Sequence, residues 1–229
     1  MRIAKFVKTD TVDWENVDAC AIHMAGCDFR CPYCNAKDCI LYASEPIDED
    51  SVLSYIEQNK DFLKGVIFTG GEPTINDSFR LMKKVKKLGM KINVFTNGYH
   101  PDELDDLIGA EYVDKVTMDV KAPFDNEIYS EVAGIDIDVK VLRRSIRTIL
   151  ASDVEHEFTI TCSPMHIRAD DIGPICNELK GARNLTLRQF IPKNCLDPRM
   201  DFAQPYPKNI LSEMGAEAKK YIKNVRVRL

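Results

Sequence analysis

Short apolar runs alternate along the chain with polar loops and with segments whose apolar residues recur at helical spacing. The runs at 18–26, 65–70, 91–97, 112–120, 155–163 and 184–192 are rich in β-branched or aromatic residues. Each stops near Gly, Pro, Asn or Asp, which is how strands are bounded. Between them, 48–63 opens on acidic capping residues and sets Val52, Leu53, Ile56 and Leu63 on one side. Segment 77–89 repeats Phe79, Met82, Val85 and Leu88, which leaves its lysines on a solvent face. A shorter helix at 101–109 starts with Pro101 and ends with Gly109. Helices at 139–152 and 169–181 complete the series, the second perturbed by Pro174.

Alternating strands and helices imply an α/β fold with parallel strands. Six such units are too few to close an eightfold barrel, so an open, partial (β/α)6 TIM-like barrel fits the length. The Pro-rich, polar stretch 193–209 reads as a loop over one end of that barrel. A helix near 208–222 and a short strand, VRVRL, follow it. Without a linker or repeat, 1–229 reads as one domain, with a core at about 18–192 and a C-terminal extension at 193–229.

Composition narrows the function classes. With 45% hydrophobic and 29% charged residues, the chain is an ordinary globular one. No apolar run approaches the ~20 residues that span a bilayer. The start, MRIAKFVKTD, lacks the apolar core of a signal peptide, so a cytoplasmic protein with no membrane partner is expected. A net charge of −5 argues against a dedicated nucleic-acid binder. The basic end, KKYIKNVRVRL, reads as a solvated helix terminus and a final strand.

Eight cysteines in such a chain are not expected to form a disulfide framework. Cys20, Cys39, Cys162, Cys176 and Cys195 are scattered and read as small buried hydrophobes. Cys27, Cys31 and Cys34 differ, standing in the spacing C-x3-C-x2-C within CDFRCPYCN. Structural zinc takes four ligands from paired knuckles, and neither Cys39, His23 nor His166 completes such a pair. Three thiolates suit an iron–sulfur cube with one iron left open to a chelating amine and carboxylate. A second motif, VIFTGGEPT at 66–74, joins a strand to a helix. Its Gly70 and Gly71 permit close backbone approach, and Glu72 stands at a strand's C-terminal end, where ligands of α/β barrels bind.

CDFRCPYCN resembles the C-x3-C-x-aromatic-C signature of the radical S-adenosylmethionine (SAM) enzymes, with Tyr33 in the aromatic position. GGEP, at Gly70, Gly71, Glu72 and Pro73, is similar to that family's motif for the SAM amino group. The resemblance implies one 4Fe–4S cluster on Cys27, Cys31 and Cys34, the fourth iron chelated by SAM. It also implies reductive cleavage of SAM to a 5′-deoxyadenosyl radical. VFTNG, with Thr96 and Asn97, and MDVKAP, with Asp119 and Lys121, resemble strand ends of the glycyl-radical-enzyme activases. By that likeness they border the SAM carboxylate, with a monovalent cation beside them. Thr161 and Gln189, ending later strands, would meet the ribose or adenine.

Most of the chain is similar to anaerobic ribonucleoside-triphosphate reductase activating proteins. The implied partners are a glycyl radical enzyme and a flavodoxin- or ferredoxin-type reductant. Phe95 stands where the activase pattern has Asp, Asn35-Ala36 where it has His-Asn, and Trp14-Glu15 where an aromatic-Pro pair is usual. Two alternatives stay open. One is a radical SAM enzyme for a small molecule or tRNA-modification precursor, such as a 7-deazaguanine-forming synthase. The other is an iron–sulfur electron carrier.

Overall fold

The computed structural model describes residues 2–75 and 77–229. In chain order come β1 (Ile3–Asp10), β2 (Ala19–Met24), α1 (Lys37–Ile40), α2 (Glu49–Gln58), β3 (Gly65–Gly70), α3 (Phe79–Lys87), β4 (Lys91–Thr96) and α4 (Pro101–Gly109). They are followed by β5 (Lys115–Val120), α5 (Asn126–Ala133), α6 (Val139–Ala151), β6 (Glu155–Cys162), α7 (Ile172–Glu178), β7 (Asn184–Gln189), α8 (Lys208–Ala218) and β8 (Asn224–Arg228). The fold is α/β, with an eight-stranded sheet whose strand order follows the chain. β1 runs antiparallel to β2, while β2–β3, β3–β4, β6–β7 and β7–β8 are parallel pairs.

The chain forms two compact units. The first comprises Met1–Asp28, Asp38–Thr96 and Asp102–Val116; the second comprises Phe29–Lys37, Asn97–Pro101 and Thr117–Leu229. β5 contributes its first two residues to one and its last four to the other.

In the first unit, small residues on β2 make room for the chain's single tryptophan. Trp14 packs on Ala19, Ala21 and Ile67, with Val7, Val17 and Phe95 around them. Gly65 belongs to the same arrangement: a Cβ there would lie 2.7 Å from Trp14 Cζ3. Asp48 caps α2 by accepting from Ser51 N, and Glu49 in the first turn pairs with Arg80 and Lys84 of α3 at 2.7 and 2.6 Å. These two basic residues lie on the lysine-rich face that the apolar spacing places outward.

In the second unit, Phe158, Ile160 and Cys162 of β6 stand in register with Leu185, Leu187 and Gln189 of β7. On the next strand Val225 and Val227 continue that face. α8 packs there, since a Cβ on its Gly215 would approach Val227 Cγ2 to 2.7 Å. The opposite face is polar: Thr159 and Thr161, then Thr186 and Arg188, then Arg226 and Arg228.

Several elements escape the sequence pattern. β1 carries Lys5, Lys8 and Asp10 and is half solvated, so its apolar alternation is broken. α5 is only eight residues long, held by Asp125 as N-cap and by Gly134 in the left-handed conformation at its end (φ 70°). The expected helix at 169–181 divides into a 3-10 turn, Ala169–Asp171, and α7. Pro174 thereby falls in α7's first turn, where its missing N–H costs nothing. The expected loop at 193–209 contains a 3-10 turn, Pro198–Phe202.

Candidate functional site

Two constellations hold the sequence-predicted residues, one in each unit. In the first, β3 ends at Gly70 (φ 97°), where the chain turns beside the end of β2. Gly71 N donates to Met24 O and Glu72 N to Gly26 O, each at 2.8 Å. A Cβ on Gly71 would sit 1.8 Å from Gly26 O, and one on Gly70 2.7 Å from His23 Cβ. The two glycines therefore serve a close approach to the chain's own backbone, immediately before Cys27. Glu72 is only 2% exposed. Its Oε1 accepts from Thr74 N (3.1 Å), Thr74 Oγ1 (2.7 Å) and Thr96 Oγ1 (2.8 Å). Thr96, the last residue of β4, is thus joined to Glu72. Pro73 opens a 3-10 turn, Pro73–Ile75, and its carbonyl accepts from Ser78 Oγ at 2.7 Å. Phe95 packs into the Trp14 cluster, so this position offers a cation no oxygen. Cys27 Sγ lies 3.7 Å from Asp28 Oδ1.

In the second unit, Lys121 Nζ pairs with Asp119 Oδ2, and Asp119 Oδ1 accepts from Thr159 Oγ1 at 2.7 Å. The backbone N–H of Lys121 donates to Tyr129 OH at 3.1 Å, so a buried phenol fixes the turn that follows β5. Burial works against the Lys121 ammonium, but Asp119, Tyr33 and Cys31 outweigh it and hold its pKa well above the usual lysine range. Burial pushes the Cys31 thiol up to about 12, against the pull of Lys121. Tyr33 is buried, its hydroxyl makes no hydrogen bond, and its ring lies 5.3 Å from that of His166. His166 Nδ1 is in turn 2.9 Å from Ser163 Oγ, and burial lowers its pKa.

The cysteine loop is held from two directions. Cys34 N donates to Cys31 O at 3.0 Å, closing a tight turn, and Arg30 N donates to Ala133 O at 2.6 Å. Leu196 N donates to Cys34 O (2.8 Å) and Asp197 N to Pro32 O (2.9 Å), so the segment after β7 is stitched along the loop. Asn97 Oδ1 accepts from Tyr99 N at 2.8 Å, turning the chain after β4. Thr161 shares the polar sheet face with Thr159. Gln189 lies on the other face, in register with Cys162, and donates from Nε2 to Tyr206 O at 2.7 Å. The structure therefore does not bring Gln189 to Thr161.

The sequence does not single out Thr74, Thr159, Tyr129, Leu196 or Asp197, and it raises His166 only as a zinc ligand that completes no pair. Thr159 alone had a legible signal, because it alternates with Thr161 on a strand. Cys20, Cys39, Cys162, Cys176 and Cys195 are all buried, as small hydrophobes would be.

Among the described residues, no three His, Cys, Asp or Glu side chains are gathered as a metal-holding group. The chemistry of the loop still fits an iron–sulfur cluster. Its donors are thiols in a backbone-stitched loop, Lys121 offers a positive charge beside Cys31, and Tyr33 keeps a buried hydroxyl with its hydrogen bond unmade.

A radical SAM superfamily model matches residues 21–172, well over half of the chain. The chain belongs to the radical SAM superfamily. Membership implies a 4Fe–4S cluster and SAM. A Methanocaldococcus jannaschii protein, provisionally named a glycyl-radical enzyme activating enzyme, is 29% identical over 99% of this chain and 95% of its own length. A 7-carboxy-7-deazaguanine synthase of Synechocystis sp. is 29% identical over 38% of this chain and 42% of its own. Among solved structures, Streptococcus suis SuiB bound to precursor peptide SuiA superimposes with a TM-score of 0.70 at 14% identity. That match covers 93% of this chain, which spans 50% of the SuiB chain. Such structural neighbours show the fold, the partial TIM-type barrel of radical SAM enzymes. No described helix is long and apolar enough to cross a membrane.

Proposed function

We propose that this radical SAM enzyme activates a glycyl radical enzyme by abstracting hydrogen from a glycine Cα of that partner, with an anaerobic ribonucleoside-triphosphate reductase as the partner type. The observation that carries the reading is the near full-length similarity to the M. jannaschii protein named as such an activase. Matches to the synthases cover less than half of this chain each.

In this reading Cys27, Cys31 and Cys34 hold the cluster, and the chain's other groups bind and orient SAM. The bound cluster would supply one electron for reductive cleavage of SAM to methionine and a 5′-deoxyadenosyl radical, and transfer of a hydrogen atom from the glycine would leave 5′-deoxyadenosine and a glycyl radical. Glu72, fixed by Thr74 and Thr96, presents a carboxylate to the SAM amino group. Lys121, fixed through Tyr129 and charged across the neutral range, presents an ammonium to the SAM carboxylate. Asp119 and Thr159 hold Lys121 in place. Tyr33 and Thr161 offer a ring and a hydroxyl to the nucleoside. No side chain is required as a general acid or base.

Anaerobic incubation of the reconstituted protein with SAM, a flavodoxin- or ferredoxin-type reductant and the purified partner tests this. A glycyl radical signal on the partner, with 5′-deoxyadenosine formed in step, is the expected result. Formation of 5′-deoxyadenosine with no radical on any such partner would move the assignment to the second reading, a synthase acting on a small molecule. That reading is favoured by the three 7-carboxy-7-deazaguanine synthases among the relatives.

A further inference from the structure

The basic end of the chain reads from sequence as a solvated terminus, yet the register of β8 places its arginines elsewhere. Arg226 stands beside Thr186 and Arg228 beside Arg188, in parallel pairing. Arg188 in turn stands beside Thr161, and Thr186 beside Thr159. Side chains on neighbouring strands in such pairs point to the same face. Val225 and Val227 occupy the other face, where α8 packs. The arginines therefore share a sheet face with Thr159, whose hydroxyl bonds Asp119 at 2.7 Å. All three are half-buried rather than exposed.

That face is rich in charge. It carries three guanidinium groups, and Lys121 beside Asp119, against the carboxylates of Asp119, Glu155 and Glu157. Glu157 also accepts from Thr186 Oγ1 at 2.5 Å. Arg188 and Arg228 are direct cross-strand neighbours, and an anion shared between such like charges offsets their repulsion. A purely protective role for charge suits an edge strand such as β8. It does not account for Arg188, which lies on β7 between two paired strands. Each guanidinium has five donors in a fixed fork, so a protein carboxylate beside it still leaves donors for a second anion. Thr161 and Thr186 add hydroxyls in the same two rows.

We infer that Arg188, Arg226 and Arg228 form an anion-binding face for a carboxylate or phosphate group of the molecule on which the site acts. This goes beyond the activase reading, because it fixes the charge of the substrate group and not the identity of the substrate. SAM also carries a carboxylate, so the two sources of the anion must be separated.

Calorimetric titration does so on the anaerobically reconstituted protein, first with SAM and then, at saturating SAM, with inorganic phosphate and with succinate. At least one of the two probes should bind the SAM-loaded protein. Its affinity should fall at least tenfold in Arg188→Gln and in Arg226→Gln, and less in the charge-keeping Arg188→Lys. SAM affinity should stay within twofold throughout, and the thermal midpoints and cluster spectra should match the parent. If a Gln variant does not fold, the Lys variants at both positions carry the test through their smaller but measurable loss. Absence of binding by both probes, or affinities unmoved by the substitutions, would overturn the inference. A loss of SAM affinity in the same variants would overturn it too, by assigning the arginines to the SAM carboxylate. The titrations need neither partner nor turnover, so their outcome is independent of the glycyl radical assay.

Discussion

The backbone N–H of Glu72 donates to the carbonyl of Gly26 at 2.8 Å, tying the GGEP turn to the residue before the first cluster cysteine. Gly71 makes the neighbouring bond to Met24, and its missing Cβ is what lets the two segments meet. The GGEP turn thus shapes the start of the cysteine loop as well as presenting Glu72.

Gly71→Ala should accordingly harm cluster loading as much as SAM binding. Its Cβ would meet Gly26 O at 1.8 Å, a clash with backbone that no side-chain rotation relieves. Overpacking of this kind costs about 1–3 kcal/mol or more. A lower thermal midpoint and lower iron content after reconstitution are expected. Full iron content with only SAM affinity reduced would show that the contact with Gly26 is unimportant.

Glu72 separates charge from hydrogen bonding. Glu72→Ala removes the acceptor of three donors and should cost about 3 kcal/mol of stability. Glu72→Gln keeps an oxygen there and should cost less than about 1 kcal/mol, while SAM binding weakens about tenfold through loss of the charge. Denaturant melts and equilibrium SAM binding on both variants check this. Equal SAM affinity in Glu72→Gln would remove the carboxylate from the amino-group site.

The cysteines divide cleanly. Cys27→Ala, Cys31→Ala and Cys34→Ala should each abolish the cluster absorbance. Cys39→Ala should retain it, because the Cys39 carbonyl, which accepts from Gly26 N at 3.0 Å, survives the substitution. Iron analysis of the four variants decides the point; iron lost with Cys39→Ala would make Cys39 a ligand.

His23 supplies a pH dependence. Burial, aided by Lys5 and opposed by Asp10 and Asp13, lowers its pKa to about 4. The folded protein then holds it neutral while the unfolded chain protonates it near the ordinary value of about 6.5. Its contribution is fully present above about pH 6.5, is lost as pH falls towards 4, and does not change further below that. The loss amounts to about 3 kcal/mol. Urea melts of the parent and of His23→Gln across this range should diverge by that amount, the variant falling less steeply. Parallel curves would show that His23 titrates alike in both states.

The alternating strands and helices were legible because their apolar residues repeat at the strand and helix periods. β1 was not, because Lys5, Lys8 and Asp10 break its alternation, and antiparallel pairing with β2 supplies the order that its own pattern lacks. α5 was hidden by its brevity, although Asp125 and Gly134 punctuate it. Asp119 and Lys121 stand two apart, a spacing that puts both side chains on one face of an extended segment, and the structure pairs them. Gln189 and Arg188 show the opposite case. A one-residue difference in register decides which reaches the polar face, and only the pairing with β6 reveals it. Tyr129 and Leu196 act on Lys121 and Cys34 across long sequence separations, through single hydrogen bonds that no local pattern records.

In the proposed function Cys27, Cys31 and Cys34 hold a cluster at which SAM is cleaved. Quantifying 5′-deoxyadenosine by chromatography after anaerobic reduction, with and without Cys31→Ala, tests it most directly. Formation of 5′-deoxyadenosine by the reconstituted parent and its loss in Cys31→Ala is the predicted result. A parent with a complete four-iron cluster and bound SAM that forms none would contradict it.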